Sequence, residues 1–316
     1  MSAPAPRLAA QDWVLLLALS LLWGASYFFS KVAVGALPPL TVVGARVFIA
    51  AATLLLVCRI VGVALPVGRW RDFLGMGVLN NVVPFALIFW AQTEIASGLA
   101  SILNATTPLF TALLAHALTQ DERLTTAKVV GVGLGIGGVA VLVGIEVLEG
   151  LGASILPELA CLAAAVFYAS AGIFARRRLK GVPPPASAAG QLTASAVVAL
   201  PVMALIDRPW LLPMPETSVI GAVLGLALLS TALGYAIYFR ILGRAGATNI
   251  LLVTLLMPPS TILLGALVLG ERLDPHHLAG FAAIALGLAA IDGRPFGWIK
   301  RKRAAGVSGG PSVETT

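Results

Sequence analysis

Runs of roughly twenty apolar residues recur along the whole chain, separated by short connectors that hold most of the charge. A run of about that length crosses a bilayer as one α-helix. The pattern predicts ten helices: Trp13–Gly35, Leu40–Gly62, Phe73–Ala91, Ile95–Leu118, Ala127–Ile145, Ala153–Ala175, Ala186–Ile206, Val219–Phe239, Thr248–Leu269 and Leu278–Ile291. The seventh is the most dilute, with Gln191, Thr193 and Ser195 along it and Pro201 inside it. The first run is longer than the apolar core of a signal peptide, so it is expected to stay as a helix. Beyond Pro295, KRKRAAGVSGGPSVETT has no apolar period and reads as a basic, disordered tail.

Composition sharpens this picture. The chain has 316 residues, 59% hydrophobic and only 11% charged, with a mean hydropathy of +0.96. A soluble domain carries about 25% charged residues. There is too little polar surface here for a soluble enzyme, a secreted scaffold or a disordered regulator. Cys58 and Cys161 both fall in apolar runs, where free cysteine acts as a small hydrophobe. Two such cysteines make neither a disulfide framework nor a metal cluster.

The net charge of +7 is clustered between the apolar runs, which is how membrane proteins set orientation rather than how they bind nucleic acid. With the N-terminus inside, the inner segments hold Arg7, Arg59, Arg69, Arg71, Arg123, Lys128, Arg176, Arg177, Arg178, Lys180, Arg240, Arg244, Arg294 and the Lys300–Arg303 run, 17 in all. The outer segments hold only Lys31, Arg208 and Arg272, with Arg46 inside a helix. The asymmetry predicts both termini in the cytoplasm, and a missed helix would scramble it.

The chain also repeats itself. DERLTTAKVVGVGLGIGGVAVL (121–142) aligns with GERLDPHHLAGFAAIALGLAAI (270–291), placing Glu122, Arg123, Leu124, Gly131 and Gly138 on Glu271, Arg272, Leu273, Gly280 and Gly287. Earlier in each half Trp23 falls on Tyr168, Lys31 on Arg176, Pro38–Pro39 on Pro183–Pro184, and Arg46 on Gln191. Five helices per copy is an odd number, so the second copy must enter the membrane upside down. The expected fold is an all-α membrane protein of ten transmembrane helices in two inverted five-helix repeats. An N-terminal segment (1–12), a first repeat (13–145), an outer connector (146–152), a second repeat (153–292) and the tail (293–316) make up the chain. Inverted repeats are the architecture of secondary transporters, with the substrate site near the midplane between the halves.

These residues resemble the EamA-type branch of the drug/metabolite transporter superfamily. LLWGASYFFSKVAV (21–34) is similar to that family's first helix and GARVFIAAATLLL (44–56) to its second. The prolines and ERL turns are similar to its helix 4–5 and 9–10 junctions, with a one-residue slip between the copies. The resemblance covers about residues 13–292. It implies ten helices, two inverted halves and export or exchange of small metabolites in the cell (inner) membrane.

Polar groups at membrane depth are costly, so each needs a reason. Trp23, Ser26 and Tyr27 cluster on the first helix; Asn80 and Asn81 sit mid-way along the third, before Pro84. Asn104, Thr107 and Thr111 share a face around Pro108, Tyr168 lies on the sixth helix, and Thr231, Tyr235 and Tyr238 follow helical spacing on the eighth. Thr254 precedes Pro258–Pro259 on the ninth. As a set, Trp23, Ser26, Tyr27, Asn80, Asn104, Thr107, Tyr168, Thr231, Tyr235 and Thr254 are the candidate substrate-binding residues, against the alternative that each only bonds a neighbouring helix. Pro84, Pro108 and Pro258 are candidate hinges, since proline removes a backbone bond. Arg46 is a candidate for gating or for meeting a substrate carboxylate, and its long stem equally permits snorkelling to the outer interface. Lone His116 reads as packing, His276 and His277 as loop residues, and the glycines of GVGLGIGG (131–138) as a close-packing face.

No carboxylate falls in the middle of any predicted helix, whereas the small multidrug pumps of this superfamily carry a glutamate within helix 1. The expected activity is therefore secondary transport of small neutral or zwitterionic metabolites, amino acids or their relatives foremost, in preference to a proton-coupled drug efflux pump. A membrane enzyme needs convergent catalytic groups that three histidines do not supply, and a lipid-flipping subunit is a further alternative. No cofactor, no metal and no nucleic acid are expected. The partners are a small-molecule substrate and the bilayer; a homodimer is compatible with the sequence, and nothing in it calls for one.

Overall fold

The computed structural model describes residues 9–118, 125–143, 155–250 and 252–292, and every regular element among them is helical. We number the helical stretches by span. They are α1 (Ala10–Val34), α2 (Pro39–Ile60), α3 (Val67–Glu94), α4 (Ser97–Leu118), α5 (Thr126–Val143), α6 (Leu156–Arg178), α7 (Pro184–Ile206), α8 (217–250), α9 (Leu252–Leu269) and α10 (Pro275–Asp292). Eight are long and apolar enough to cross a membrane; Thr126–Leu142 and Pro275–Ile291 are shorter apolar helices. The exposed surface is rich in Leu, Val, Ile and Trp, as expected of a surface that faces lipid.

The glycine faces explain one interface. A Cβ on Gly131 would lie 2.5 Å from the Gly287 carbonyl oxygen, and one on Gly138 would lie 2.7 Å from that of Gly280. Only glycine allows α5 and α10 this close. The sequence repeat equates Gly131 with Gly280 and Gly138 with Gly287, so each contact is a copy of the other with its partners exchanged. Position rises along α5 as it falls along α10. Equivalent helices thus run antiparallel, and α2 meets α7 in the same way, Gly44 facing Met203 and Thr41 facing Asp207. The second copy is inverted relative to the first.

Several elements differ from the hydrophobic pattern. α1 starts at Ala10, so Asp12 lies in its first turn, where its Oδ1 accepts from Arg244 Nε at 3.0 Å. α4 is not continuous: it breaks at Ala105–Thr106 between Ser97–Asn104 and Thr107–Leu118. Pro108 has no N–H to donate, and the Asn104 carbonyl that would have received it accepts from Thr107 Oγ1 at 2.7 Å instead. α7 and α9 run unbroken through Pro201 and through Pro258–Pro259. α8 does not stop at Phe239 but continues to Ile250, taking in the expected connector. His276 and His277 belong to the first turn of α10, not to a loop, and His116 is exposed near the end of α4. The first ERL turn, the outer connector and the basic tail lie outside the described residues.

α3 and α8 share a further feature. Val78–Val82 in α3 and Gly225–Leu233 in α8 are π-helical. These are corresponding helices of the two copies. A π segment widens the helix and frees carbonyls, and it is a recurrent mark of functional sites. The two segments carry Asn80, Asn81, Ser230 and Thr231.

Candidate functional site

A cavity of about 1200 Å³ opens into the bundle. It is lined by Trp23, Ser26 and Tyr27 of α1, Asn80 of α3, Asn104 and Thr107 of α4, Tyr168 of α6, Thr231 and Tyr235 of α8, and Thr254 of α9. All ten candidate residues therefore meet around the same space, drawn from both copies. Arg46 and Pro108 also line it, whereas Pro84 and Pro258 are buried away from it.

Cross-repeat hydrogen bonds organise the walls. Asn80 Nδ2 donates to Gln191 Oε1 (3.0 Å) and to the Tyr235 hydroxyl oxygen (2.8 Å), and Tyr235 donates onward to Asn81 Oδ1 (3.3 Å). Asn81 Nδ2 donates to Ser195 Oγ (3.0 Å). The hydroxyls are already engaged: Thr107 on the Asn104 carbonyl, and Thr231 on the Leu226 carbonyl at 2.7 Å. Trp23 stacks on Tyr238 with centroids 5.6 Å apart, and Tyr235 stacks on Phe239 at 6.0 Å.

Arg46 does not snorkel. Its side chain points inward and is only 6% exposed. Nε donates to Thr231 Oγ1 at 2.9 Å, and the guanidinium carbon sits 3.8 Å from the Phe85 ring centroid and 5.7 Å from that of Phe89. Inward placement wins because the aromatic faces and the hydroxyl offer the cation an attractive seat. Among the described residues no Asp or Glu pairs with it.

The cavity has one open and one closed end. Trp13, Lys128, Arg176, Leu179, Val182 and Ile291 line it at the end of the bundle where α1 begins and α6 finishes. The opposite end is tied shut by polar contacts. Lys31 Nζ donates to the carbonyls of Gln92 (2.6 Å) and Ile95 (3.0 Å), joining α1 to the end of α3. Asp207 accepts from the backbone N–H and hydroxyl of Thr41 (2.6 and 2.9 Å), capping α2. Glu271 accepts from Ser97 N (2.9 Å) and Ser97 Oγ (2.7 Å), capping α4 from the other repeat. Glu94 is exposed at the end of α3, far from any role inside.

Some lining residues escaped the sequence reading. Gln191, Phe85, Phe89, Lys128 and Arg176 all contribute, beside Tyr238, which the helical spacing on α8 had singled out. Gln191 had a signal, as the repeat partner of Arg46. The phenylalanines had none, because an apolar ring facing a cavity looks in sequence like one facing lipid. Elsewhere, Asp274, His276 and His277 place ligand atoms within 4.8 Å of one another. There the Asp274 N–H donates to His277 Nδ1 (3.1 Å), so the group serves as a cap for α10.

The EamA-like transporter family model matches the chain twice, over residues 13–144 and 155–291. A probable amino-acid metabolite efflux pump of Salmonella typhimurium is 29% identical over 96% of this chain and 100% of its own length. A protein of the same description from Escherichia coli is 28% identical, covering 89% and 94%. A probable terminal-alkyne amino-acid exporter of Streptantibioticus cattleyicolor is 27% identical, covering 84% and 86%. A crystal structure superposes with a TM-score of 0.62 at 22% identity, over 89% of this chain and 97% of the other, a likeness that shows the fold alone.

Proposed function

Because the chain belongs to the EamA-like transporter family, and is a multi-pass membrane protein of that kind, we propose that it exports amino acids or closely related metabolites by alternating access through the central cavity. The observation that carries this reading is the convergence of polar and aromatic side chains from α1, α3, α4, α6, α8 and α9 on one cavity between two inverted repeats. The names of the three relatives support the substrate class. The 17-to-3 distribution of basic residues supports ten crossings of the cell (inner) membrane with both termini cytoplasmic. In that orientation the open end faces the cytoplasm and the Lys31, Asp207 and Glu271 contacts close the outer side.

Substrate enters from the cytoplasm, is held among Trp23, Tyr27, Asn104, Tyr168 and Tyr235, and leaves outward when the outer contacts part and the inner end closes. The break at Ala105–Thr106 before Pro108 supplies one hinge, and the π segment before Pro84 another. Pro258 lies within an unbroken helix and away from the cavity lining. No Asp or Glu is among the described lining residues, so movement down the substrate gradient, or exchange, fits better than proton antiport. The test is uptake of a panel of labelled amino acids, their derivatives and quaternary ammonium dyes into proteoliposomes. Amino-acid-like solutes are expected to move; transport of the dyes alone would overturn the reading.

A further inference from the structure

The charge of the cavity wall is one-sided. Among the described residues its charged lining side chains are Arg46 at the blind end and Lys128 and Arg176 at the mouth, and no Asp or Glu lines it. A zwitterion would leave that balance positive, because its own two charges cancel. A monoanion reduces it. We propose that the cavity recognises the carboxylate of a net-anionic metabolite with a bulky apolar tail, such as an N-acylated amino acid, and that Arg46 is the anchor. This rests on the cavity being the transport site.

The guanidinium is built for the task. Of its five N–H groups, one is bonded to Thr231, which leaves four without a protein partner among the described residues. The faces of Phe85 and Phe89, 3.8 and 5.7 Å from the guanidinium carbon, hold the group in place. A planar, pre-oriented fork matches a carboxylate in a bidentate fashion, and lysine does not reproduce that fit. An unpaired cation at membrane depth is costly, so the position gains most when an anion arrives. The rest of the wall sets the tail. Phe85, Phe89, Tyr168, Tyr238 and Phe239 line a space far larger than a small amino acid fills. With its carboxylate at the blind end, a bound molecule extends its apolar part toward the open mouth.

The test uses two near-isosteres, N-acetyltryptophan and N-acetyltryptophanamide, on the purified full-length chain, with thermal stabilisation giving the affinity. The acid is expected to bind about tenfold or more tightly than the amide, the size of a charge-assisted pair. Free tryptophan, which brings an ammonium back, is expected to bind more weakly than the acid. Arg46→Gln should collapse the acid-over-amide ratio to about one, and Arg46→Lys should restore part of it. Equal stabilisation by acid and amide in the unaltered chain, or none by either, overturns the proposal whether or not the variants fold. So does tighter binding of free tryptophan, or a folded Arg46→Gln chain that keeps the ratio. Gly172 lines the cavity with open space beside it, so Gly172→Trp should plug the route and stop flux of every substrate. Normal flux in that variant sinks the cavity as the transport path; blocked flux together with an acid preference indifferent to Arg46 sinks the anchor alone.

Discussion

Asn104 and Tyr27 show how much one polar side chain says at membrane depth. Both are buried to about 7% exposure, both line the cavity, and neither position would be tolerated without partners or a ligand. Alanine at either is expected to abolish uptake into proteoliposomes while the purified chain still elutes as a folded, monodisperse species. Normal transport by both variants would remove the cavity from the mechanism. Tyr235 tests the wall itself. Its hydroxyl bridges Asn80 and Asn81, so Tyr235→Phe should cost about 0.5–1.5 kcal/mol of stability, read as a lower melting temperature. Arg46 marks where residue-level reading stops. From position alone its stem reaches either the interface or the interior, and the deciding partner, Thr231, lies 185 residues away in sequence.

Among the elements, α5 and α10 are held by close approach and α4 by a cap supplied from the other repeat. Gly138→Val must push into the Gly280 carbonyl and the Ile284 side chain, and overpacking of this kind costs about 1–3 kcal/mol. Gly137, one residue away, has nothing within 4 Å of an added Cβ. Gly137→Ala is therefore expected to be neutral or to stabilise, by up to about 1 kcal/mol of helix propensity. Comparing the two melting temperatures checks the face assignment, and an equal loss in both would refute it. Glu271→Ala removes the acceptor of the Ser97 N–H and hydroxyl and should cost about 0.5–2 kcal/mol, as loss of a helix cap does. The apolar runs predicted these helices well because span length and bilayer thickness are matched. They failed at α8, where an exposed, arginine-bearing turn continues the helix, and at α4, where the local chemistry of Pro108 and Thr107 breaks it.

For the whole molecule, reporter fusions after Arg69 and Gly181 should read as cytoplasmic and fusions after Met214 and Glu271 as exterior. One reversed pair would overturn the topology. Coupling is tested by flux with and without an imposed pH gradient. The gradient is expected to leave the final substrate distribution unchanged, and Glu94→Gln to behave like the unaltered chain, since Glu94 is exposed at a helix end. Uphill accumulation driven by protons would contradict the proposed mechanism.

Membrane residence and the repeat are properties of the pattern along the chain, and sequence alone determines them: hydropathy is summed locally, and a duplicated order of Pro, Gly and ERL survives without any contact being known. The polar residues worth watching were legible for the same reason, because bilayer burial penalises each one individually. What only the tertiary structure decided is how those residues meet. It placed Gln191 beside Asn80, seated Arg46 between Thr231 and two phenylalanine rings, and left the cavity open at one end and tied at the other. The Asn80–Gln191 and Arg46–Thr231 pairs join helices from opposite repeats. Their meeting depends on the pseudo-two-fold packing of the halves, which no local stretch of sequence encodes.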